Sequence, residues 1–348
     1  MERIKKLTDM LSKDEGILIT NPTNAFYFSG IKSSNISLYI TKNKKYLITD
    51  FRYYETASKN RGGFTVLWEK KFTEYISKII TEKTVYVETD YLTYDNYLNI
   101  KNNTTADLKK CGDMIKKLRI IKDDKEIENI KKAQSIADRA FEAVLDSIKP
   151  GITEIELKRA LEYNMAVLGS PKTAFDTIVL FGKNTSLPHG EPSDNKLLEN
   201  DIILMDFGCV YNGYCSDITR TFFIGKPSEK MLKAYDDVLY AHKFARDSIN
   251  SGINAEDVDR FARDYLYETG YEGLFGHALG HGVGLDVHEA PTLSPKSKDI
   301  LGKNMIFSIE PGVYFNDSFG IRIEDLYYIN DEGKPVSFTM LSKNLLII

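Results

Sequence analysis

Cysteine is scarce in this chain: Cys111, Cys209 and Cys215 are the only three among 348 residues. Three thiols cannot build a disulfide framework in a chain of this length, so a reduced, cytoplasmic setting is expected. Long apolar runs are lacking too. No stretch approaches the roughly 20 apolar residues that a membrane span needs. The opening MERIKKLTDMLSKDEG is interrupted by charge too often to hold the apolar core of a signal peptide. An excess of one charge is also absent, with 46 Lys and Arg against 50 Asp and Glu, a net charge of −4, and the basic residues scattered along the chain. No nucleic-acid surface and no membrane partner are expected from such a balance. Histidine is sparse at five residues, yet His277, His281 and His288 all fall within HALGHGVGLDVHEAP, residues 277–291. A zinc site is the first thought that this cluster raises, and the acids of the same half argue against it.

At 348 residues the chain is too long for one small core, and two domains are expected. Ile4, Leu7, Met10 and Leu11 form a helical stripe. GILITN (16–21) and SLYITKNKKYLITD (37–50) read as strands, the second a hairpin around Lys42-Asn43-Lys44. Helix and strand patterns alternate through VYVET (85–89), which makes residues 1–118 a small α/β domain. A second domain is expected over 119–348. Asp123 with Glu126 reads as a capping box ahead of a helical face made by Ile127, Ile130, Ala133, Ala137, Ala140, Phe141, Val144 and Ile148. Lys149-Pro150-Gly151 should stop that helix, and Thr153 with Glu156 should open another that Gly169 closes. TIVLFG, IILMDFGCVY, YCSDITRTFFI, MIFSIEPGVYF and FGIRIEDLYYI then read as strands, interrupted by helices near 229–250 and 255–269. Helices on one side of a curved, mostly antiparallel sheet give an α+β catalytic domain.

Four of those strand patterns carry an acid: Asp206 in LMDFG, Asp217 in CSDITRT, Glu310 in FSIEPG and Glu324 in IRIEDL. An ionised carboxylate among Ile, Leu and Phe is strongly disfavoured unless paired or metal-bound. Asn212-Gly213 is a two-residue hairpin signal that pairs Tyr211 with Tyr214, Asp206 with Thr219, and Asp217 with Gly208. Asp206 and Asp217 then share one face about 5.5–8 Å apart, where two negative charges repel and a cation reverses the sign. The same parity puts Cys209 and Cys215 on opposite faces. Any one of these acids could instead pair with Arg220, Arg322 or Lys303, or reach solvent at a strand end. Four together, with His281 in a GHGVG loop whose glycines suit a crowded site, favour metal. The set is oxygen-rich, which suits Mn²⁺ or a similar ion over structural zinc, and Ala278 stands where a zincin helix needs Glu. Five ligands suit two ions about 3.5–4 Å apart.

MDFG, SDITRT, GHGVGLDVHE, IEPG and IRIED, in this order and with LPHG (187–190) upstream, resemble the pita-bread metallopeptidases, the family of prolidase, aminopeptidase P and methionine aminopeptidase. LRIIKDDKEIENIKKA, NAFYFSG (24–30) and ITDFRYYETA (48–57) resemble the linker and amino-terminal domain of its proline-specific branch. Small departures are Asn200, where the family has Gly before Asp201, and FYFSGI in place of YLTGF. The resemblance implies a pita-bread catalytic domain behind a smaller creatinase/prolidase-type α/β domain. It implies two divalent ions, Mn²⁺ first with Co²⁺ or Zn²⁺ as alternatives, held by Asp206, Asp217, His281, Glu310 and Glu324. Hydrolysis of the Xaa-Pro bond of short peptides would follow through a metal-bridging hydroxide, with Glu310 as acid/base. His189, His277 and His288 would contact substrate and the developing oxyanion. Arg322 would sit beside the bridging acids or meet a substrate carboxylate, and a homodimer would be usual. His242, on a helical pattern, reads as a surface or packing residue. Dipeptidase and aminopeptidase P stay unseparated. A non-enzymatic pita-bread module and a metal-free creatinase-like hydrolase are the other readings; both should lack the full ligand set.

Overall fold

A computed structural model describes residues 2–69 and 72–348. The chain divides into two compact units, Met1–Arg119 and Ile120–Ile348.

In the first unit, helices α1 (Glu2–Asp9), α2 (Pro22–Ser29), α3 (Phe51–Lys59), α4 (Phe72–Ile79), α5 (Tyr94–Asn102) and α6 (Met114–Arg119) accompany strands β1 (Glu15–Ile19), β2 (Ile36–Thr41), β3 (Lys45–Thr49), β4 (Thr65–Trp68), β5 (Thr84–Val87) and β6 (Asp107–Lys110). The strands form one sheet in the order β4-β3-β2-β1-β5-β6. Its β1–β2 and β2–β3 ladders are antiparallel and the other three parallel, so the unit is α/β. The expected hairpin forms around Lys42-Asn43-Lys44, with Ile40 opposite Lys45 and the Thr41 amide donating to the Lys44 carbonyl at 2.8 Å.

The second unit opens with α7 (Asp124–Val144) and α8 (Glu154–Val167), and both capping boxes are formed. Helix α7 ends at Val144 and a 3-10 turn, Leu145–Ser147, follows, so it stops earlier than Lys149-Pro150-Gly151 suggests. Strands β7 (Ile178–Phe181), β8 (Asp201–Phe207), β9 (Val210–Tyr211), β10 (Tyr214–Cys215) and β11 (Ile218–Ile224) come next, then α9 (Glu229–Ser248) and α10 (Ala255–Leu266). The chain finishes with β12 (Gly280–Gly282), β13 (Glu289–Leu293), β14 (Ile306–Ile309), β15 (Gly312–Phe315), β16 (Phe319–Arg322), β17 (Asp325–Ile329) and β18 (Pro335–Ser337). Every ladder between these strands is antiparallel.

The alternation of side chains along β8 and β11 divides the packing. Ile203, Met205, Phe207, Ile218 and Phe222 join Phe141, Leu157 and Leu161 of α7 and α8 in one core. Ile202 and Phe223 join Val238, Val258 and Phe307 in the core under α9 and α10. Asp206 and its cross-strand partner Thr219 share the parity of Ile202 and Phe223 and so face inward toward this second layer. The hairpin register is the one that Asn212-Gly213 dictates, with Tyr211 opposite Tyr214 and Asp206 opposite Thr219. Cys111, Cys209 and Cys215 are free thiols.

Two expectations are corrected. Three of the four acids do not lie inside strands. Asp217 falls between β10 and β11, Glu310 between β14 and β15, and Glu324 between β16 and β17. At each break the chain leaves one ladder for another: β16 pairs with β15, whereas β17 pairs with β14. Pro311 has no amide proton to continue a ladder, and the freed backbone groups bond elsewhere. The Glu310 amide donates to the Leu279 carbonyl at 2.8 Å and the Glu324 amide to the Thr219 carbonyl at 3.1 Å. The second correction concerns GHGVG, expected as a loop. Gly280–Gly282 is a short strand wedged between β13 and β14, because two glycines let three backbones approach closely. A Cβ on Gly280 would lie 2.0 Å from the Ser308 carbonyl oxygen, and one on Gly282 would lie 2.1 Å from that of Ala290. Gly282→Ala should therefore lower Tm by roughly 3–10 °C, read by calorimetry on the metal-free protein.

Candidate metal centre

The broken strands bring their acids to one place. Asp217, His281 and Glu324 each offer a ligand atom within 4.8 Å of the others. The His281 Nε2 lies 3.2 Å from Glu310 Oε1 and 3.6 Å from Asp217 Oδ2. Ser308 ties two of these together: its hydroxyl donates to Glu310 Oε1 at 3.0 Å and accepts from the His281 amide at 3.1 Å. Asp206 receives Arg322 Nη2 on Oδ2 at 2.5 Å, and Glu324 receives the Thr219 hydroxyl on Oε2 at 2.8 Å. The other oxygen of each of these two carboxylates, Asp206 Oδ1 and Glu324 Oε1, is buried without a hydrogen-bond partner among the described residues.

Burial pushes the Asp206 carboxyl above its ordinary range, though the Arg322 charge opposes this. Asp217 is pushed well above the usual value by burial and then by the charge of Asp206. Glu324 rises well above it through burial and the charges of Asp217, Glu310 and Asp206. Glu310 and His281 behave as a pair. Burial works against both charges, but their contact overcomes it, holding Glu310 down at about 2 and His281 up at about 9. The cluster thus carries more negative charge than it can neutralise.

All nine residues singled out in the sequence (the five candidate ligands with His189, His277, His288 and Arg322) line one cavity of about 760 Å³. His189 is exposed at its mouth. His288 is exposed to solvent and sets its ring edge-on to His281, centroids 4.2 Å apart, and partial desolvation followed by the His281 charge lowers its pKa. His277 is committed to neighbours: Nδ1 is 2.8 Å from the Ala278 carbonyl and Nε2 is 3.1 Å from the Tyr314 hydroxyl. Arg322 lies beside the acids, of the two placements expected. It donates to Asp206, to Thr219 Oγ1 at 3.1 Å, to the Pro188 carbonyl at 3.2 Å and to the Tyr314 hydroxyl at 2.7 Å. Tyr314 is a residue that the sequence reading missed. It joins His277 to Arg322 from the middle of β15, where a Tyr reads as ordinary strand filling. Of the cations considered as rival partners, Arg220 pairs with Asp325 at 2.8 Å and Lys303 with Asp331 at 2.6 Å. His242 is a packing residue, fully buried against Tyr327 with neither ring nitrogen hydrogen-bonded among the described residues, and desolvation drops its pKa to about 3.

The profile of metallopeptidase family M24 matches residues 128–331, and that of the creatinase/prolidase N-terminal domain matches residues 3–121. The chain belongs to metallopeptidase family M24. The pita-bread catalytic domain and the smaller amino-terminal domain implied by the sequence resemblance are both present. Among relatives, an Xaa-Pro dipeptidase of Pyrococcus furiosus is 38% identical over 336 residues, 95% of this chain and 96% of that protein. The solved structure of an Xaa-Pro dipeptidase from Bacillus anthracis is 37% identical with a TM-score of 0.95, covering 100% of this chain and 99% of that one. That of an X-Pro aminopeptidase from Thermotoga maritima is 34% identical with a TM-score of 0.91, covering 99% of this chain and 100% of that one.

Membership in M24 implies divalent metal, and the residues present fit it. The donors are hard oxygens with one imidazole. Two buried carboxylate oxygens lack partners among the described residues, and burial with neighbouring negative charge raises three of the carboxyls, a balance that a cation would reverse. Ligands must be deprotonated to bind metal, so binding here should expel protons from raised carboxyls and from His281. Metal affinity should rise between about pH 6 and about pH 9, with proton release seen by titration calorimetry in buffers of different ionisation enthalpy. The metal-free fold should change in the opposite sense. The pKa of His281 is raised on folding to about 9, so its stabilisation is complete below its unfolded value and is lost as pH climbs through that range.

Proposed function

We propose that this chain is a dinuclear metal-dependent exopeptidase that hydrolyses the Xaa-Pro bond at the amino terminus of short peptides, using residues 119–348 for catalysis and residues 1–118 as the accessory domain. The observation that carries the reading is the convergence of four carboxylates and one imidazole on one cavity, Asp217 and Glu324 buried and the other three partly so, with two buried carboxylate oxygens unpartnered among the described residues. Asp206, Asp217, His281, Glu310 and Glu324 would hold two cations, Mn²⁺ by the hardness of the donors, with Co²⁺ or Zn²⁺ as alternatives. Bound there, the cations supply Lewis-acid polarisation of the scissile carbonyl and an acidified water.

The chain's own side chains do the rest. Glu310 takes the proton of the attacking water and returns one to the leaving nitrogen. The Ser308 hydroxyl on its Oε1 fixes the orientation of that carboxylate. His189 and His288 open to the cavity and donate to the substrate carbonyl as negative charge grows on it. His277 acts through Tyr314, which keeps Arg322 against Asp206. The free cysteines and the family resemblance support a cytoplasmic homodimer.

The relatives named Xaa-Pro dipeptidase favour a dipeptide substrate. One observation favours the aminopeptidase reading: Arg322 spends its donors on Asp206, Thr219, Pro188 and Tyr314, which leaves it ill-placed to receive a substrate carboxylate. Initial rates on Ala-Pro and Ala-Pro-Ala after chelation and Mn²⁺ reconstitution decide between the two. Cleavage of the dipeptide alone means a dipeptidase; release of alanine from the tripeptide means an aminopeptidase. Failure on both, with metal bound, would sink the enzymatic reading. Asp217→Ala or Glu324→Ala should remove metal and activity together. His288→Ala should cut kcat by roughly 10- to 100-fold at unchanged metal content, whereas loss of metal would show His288 to be a ligand.

A further inference from the structure

The backbone around His277 lacks a ladder of its own. Residues 275–278 belong to no helix or strand, yet Phe275 and Leu279 are buried beside them. Buried amides and carbonyls require partners, and here they come from helix α10. Asp259 and Arg263 stand one turn apart on that helix and form a two-pronged pair, Nε to Oδ2 at 2.7 Å and Nη2 to Oδ1 at 2.8 Å. The same two side chains grip the segment on both sides of His277. Arg263 Nη1 donates to the Phe275 carbonyl at 3.0 Å and Nη2 to the His277 carbonyl at 2.8 Å. Asp259 Oδ1 accepts the Leu279 amide at 3.0 Å. The guanidinium also stacks over the Phe275 ring, 4.2 Å from its centroid. Beyond the clamp, the Leu279 carbonyl receives the Glu310 amide, and the His277 ring meets Tyr314, which meets Arg322, which meets Asp206.

We infer that the Asp259–Arg263 pair of α10 is a positioning device for the reaction, which fixes the His277–Leu279 segment and through it the Tyr314–Arg322–Asp206 chain. The inference rests on the proposed hydrolytic function for its kinetic consequence, though not for the clamp itself. Neither residue lines the cavity that gathers the candidate ligands. A planar fork is required, since one guanidinium serves a carboxylate and two carbonyls at once. Lysine, a point donor, cannot replace it.

The test uses Arg263→Met, Arg263→Lys and Asp259→Asn in the full-length chain, alone and combined with His277→Ala. In metal-free protein, hydrogen exchange of the peptide spanning 275–280 should accelerate at least about tenfold with the sheet strands unaffected. Metal stoichiometry should stay that of the wild type. In the metal-loaded enzyme kcat/KM should fall roughly 10- to 100-fold, mostly in kcat. The same substitutions should add almost nothing in the His277→Ala background, because both changes cut one chain. Unchanged exchange at 275–280, global acceleration, or a full additional loss on top of His277→Ala would each overturn the inference and leave the pair a structural brace. A wild-type protein inert on Xaa-Pro peptides would instead defeat the functional reading, and the exchange result would still decide the clamp. Should Arg263→Met fail to fold, Asp259→Asn, which keeps shape and removes charge, carries the same comparison.

Discussion

Repulsion among carboxylates that the fold has removed from water is the constraint around which this molecule is organised. On top of burial, the charge of Glu310 raises Asp206, those of Asp206 and Glu310 raise Asp217, and those of Asp217, Glu310 and Asp206 raise Glu324, while Arg322 and His281 oppose the accumulation at Asp206 and Asp217. A core of similar size filled with apolar side chains would be easier to fold. That the acids stand there, with an oxygen of Asp206 and one of Glu324 lacking a partner among the described residues, makes a cation part of the site's chemistry. The glycines of β12, the breaks in the strands and the hydroxyls of Thr219 and Ser308 follow from the same need.

The sheet is interrupted where function requires it. A continuous β-strand turns alternate side chains to opposite faces, so no single strand could aim its carboxylates at a point. The chain instead changes ladder at Asp217, Glu310 and Glu324, and each change redirects a carboxylate toward Asp206. The amides freed at Glu310 and Glu324 bond to Leu279 and Thr219, neighbours of other site residues, so the irregular backbone is itself a cross-brace. Arg322 anchors the same region through four different partners.

Features governed by neighbours in sequence were legible. Both capping boxes formed as the Asp123/Glu126 and Thr153/Glu156 spacings indicate, and Asn212-Gly213 set a register that holds for the whole β8–β11 ladder. That the four acids would be at least half buried followed from their apolar company, and Asp217 and Glu324 are fully so. The ladder switches were not legible, because a strand that changes partner keeps the same apolar pattern before and after. Tyr314 and the Asp259–Arg263 pair were missed for a related reason. A Tyr in a strand and an Asp-Arg spacing of four on a helix have the same local signature whether they face solvent or hold an active-site loop. Their meaning lies in contacts with segments distant in sequence.

Crystals grown with Mn²⁺ and measured at wavelengths on either side of the manganese edge would test the central claim most directly. Two anomalous peaks within bonding reach of Asp206, Asp217, Glu310, Glu324 and His281 Nε2 are the predicted result. An absence of anomalous signal among these five residues, in protein that keeps the same Tm with and without chelator, would contradict the account, since the fold would then tolerate the buried charges unaided.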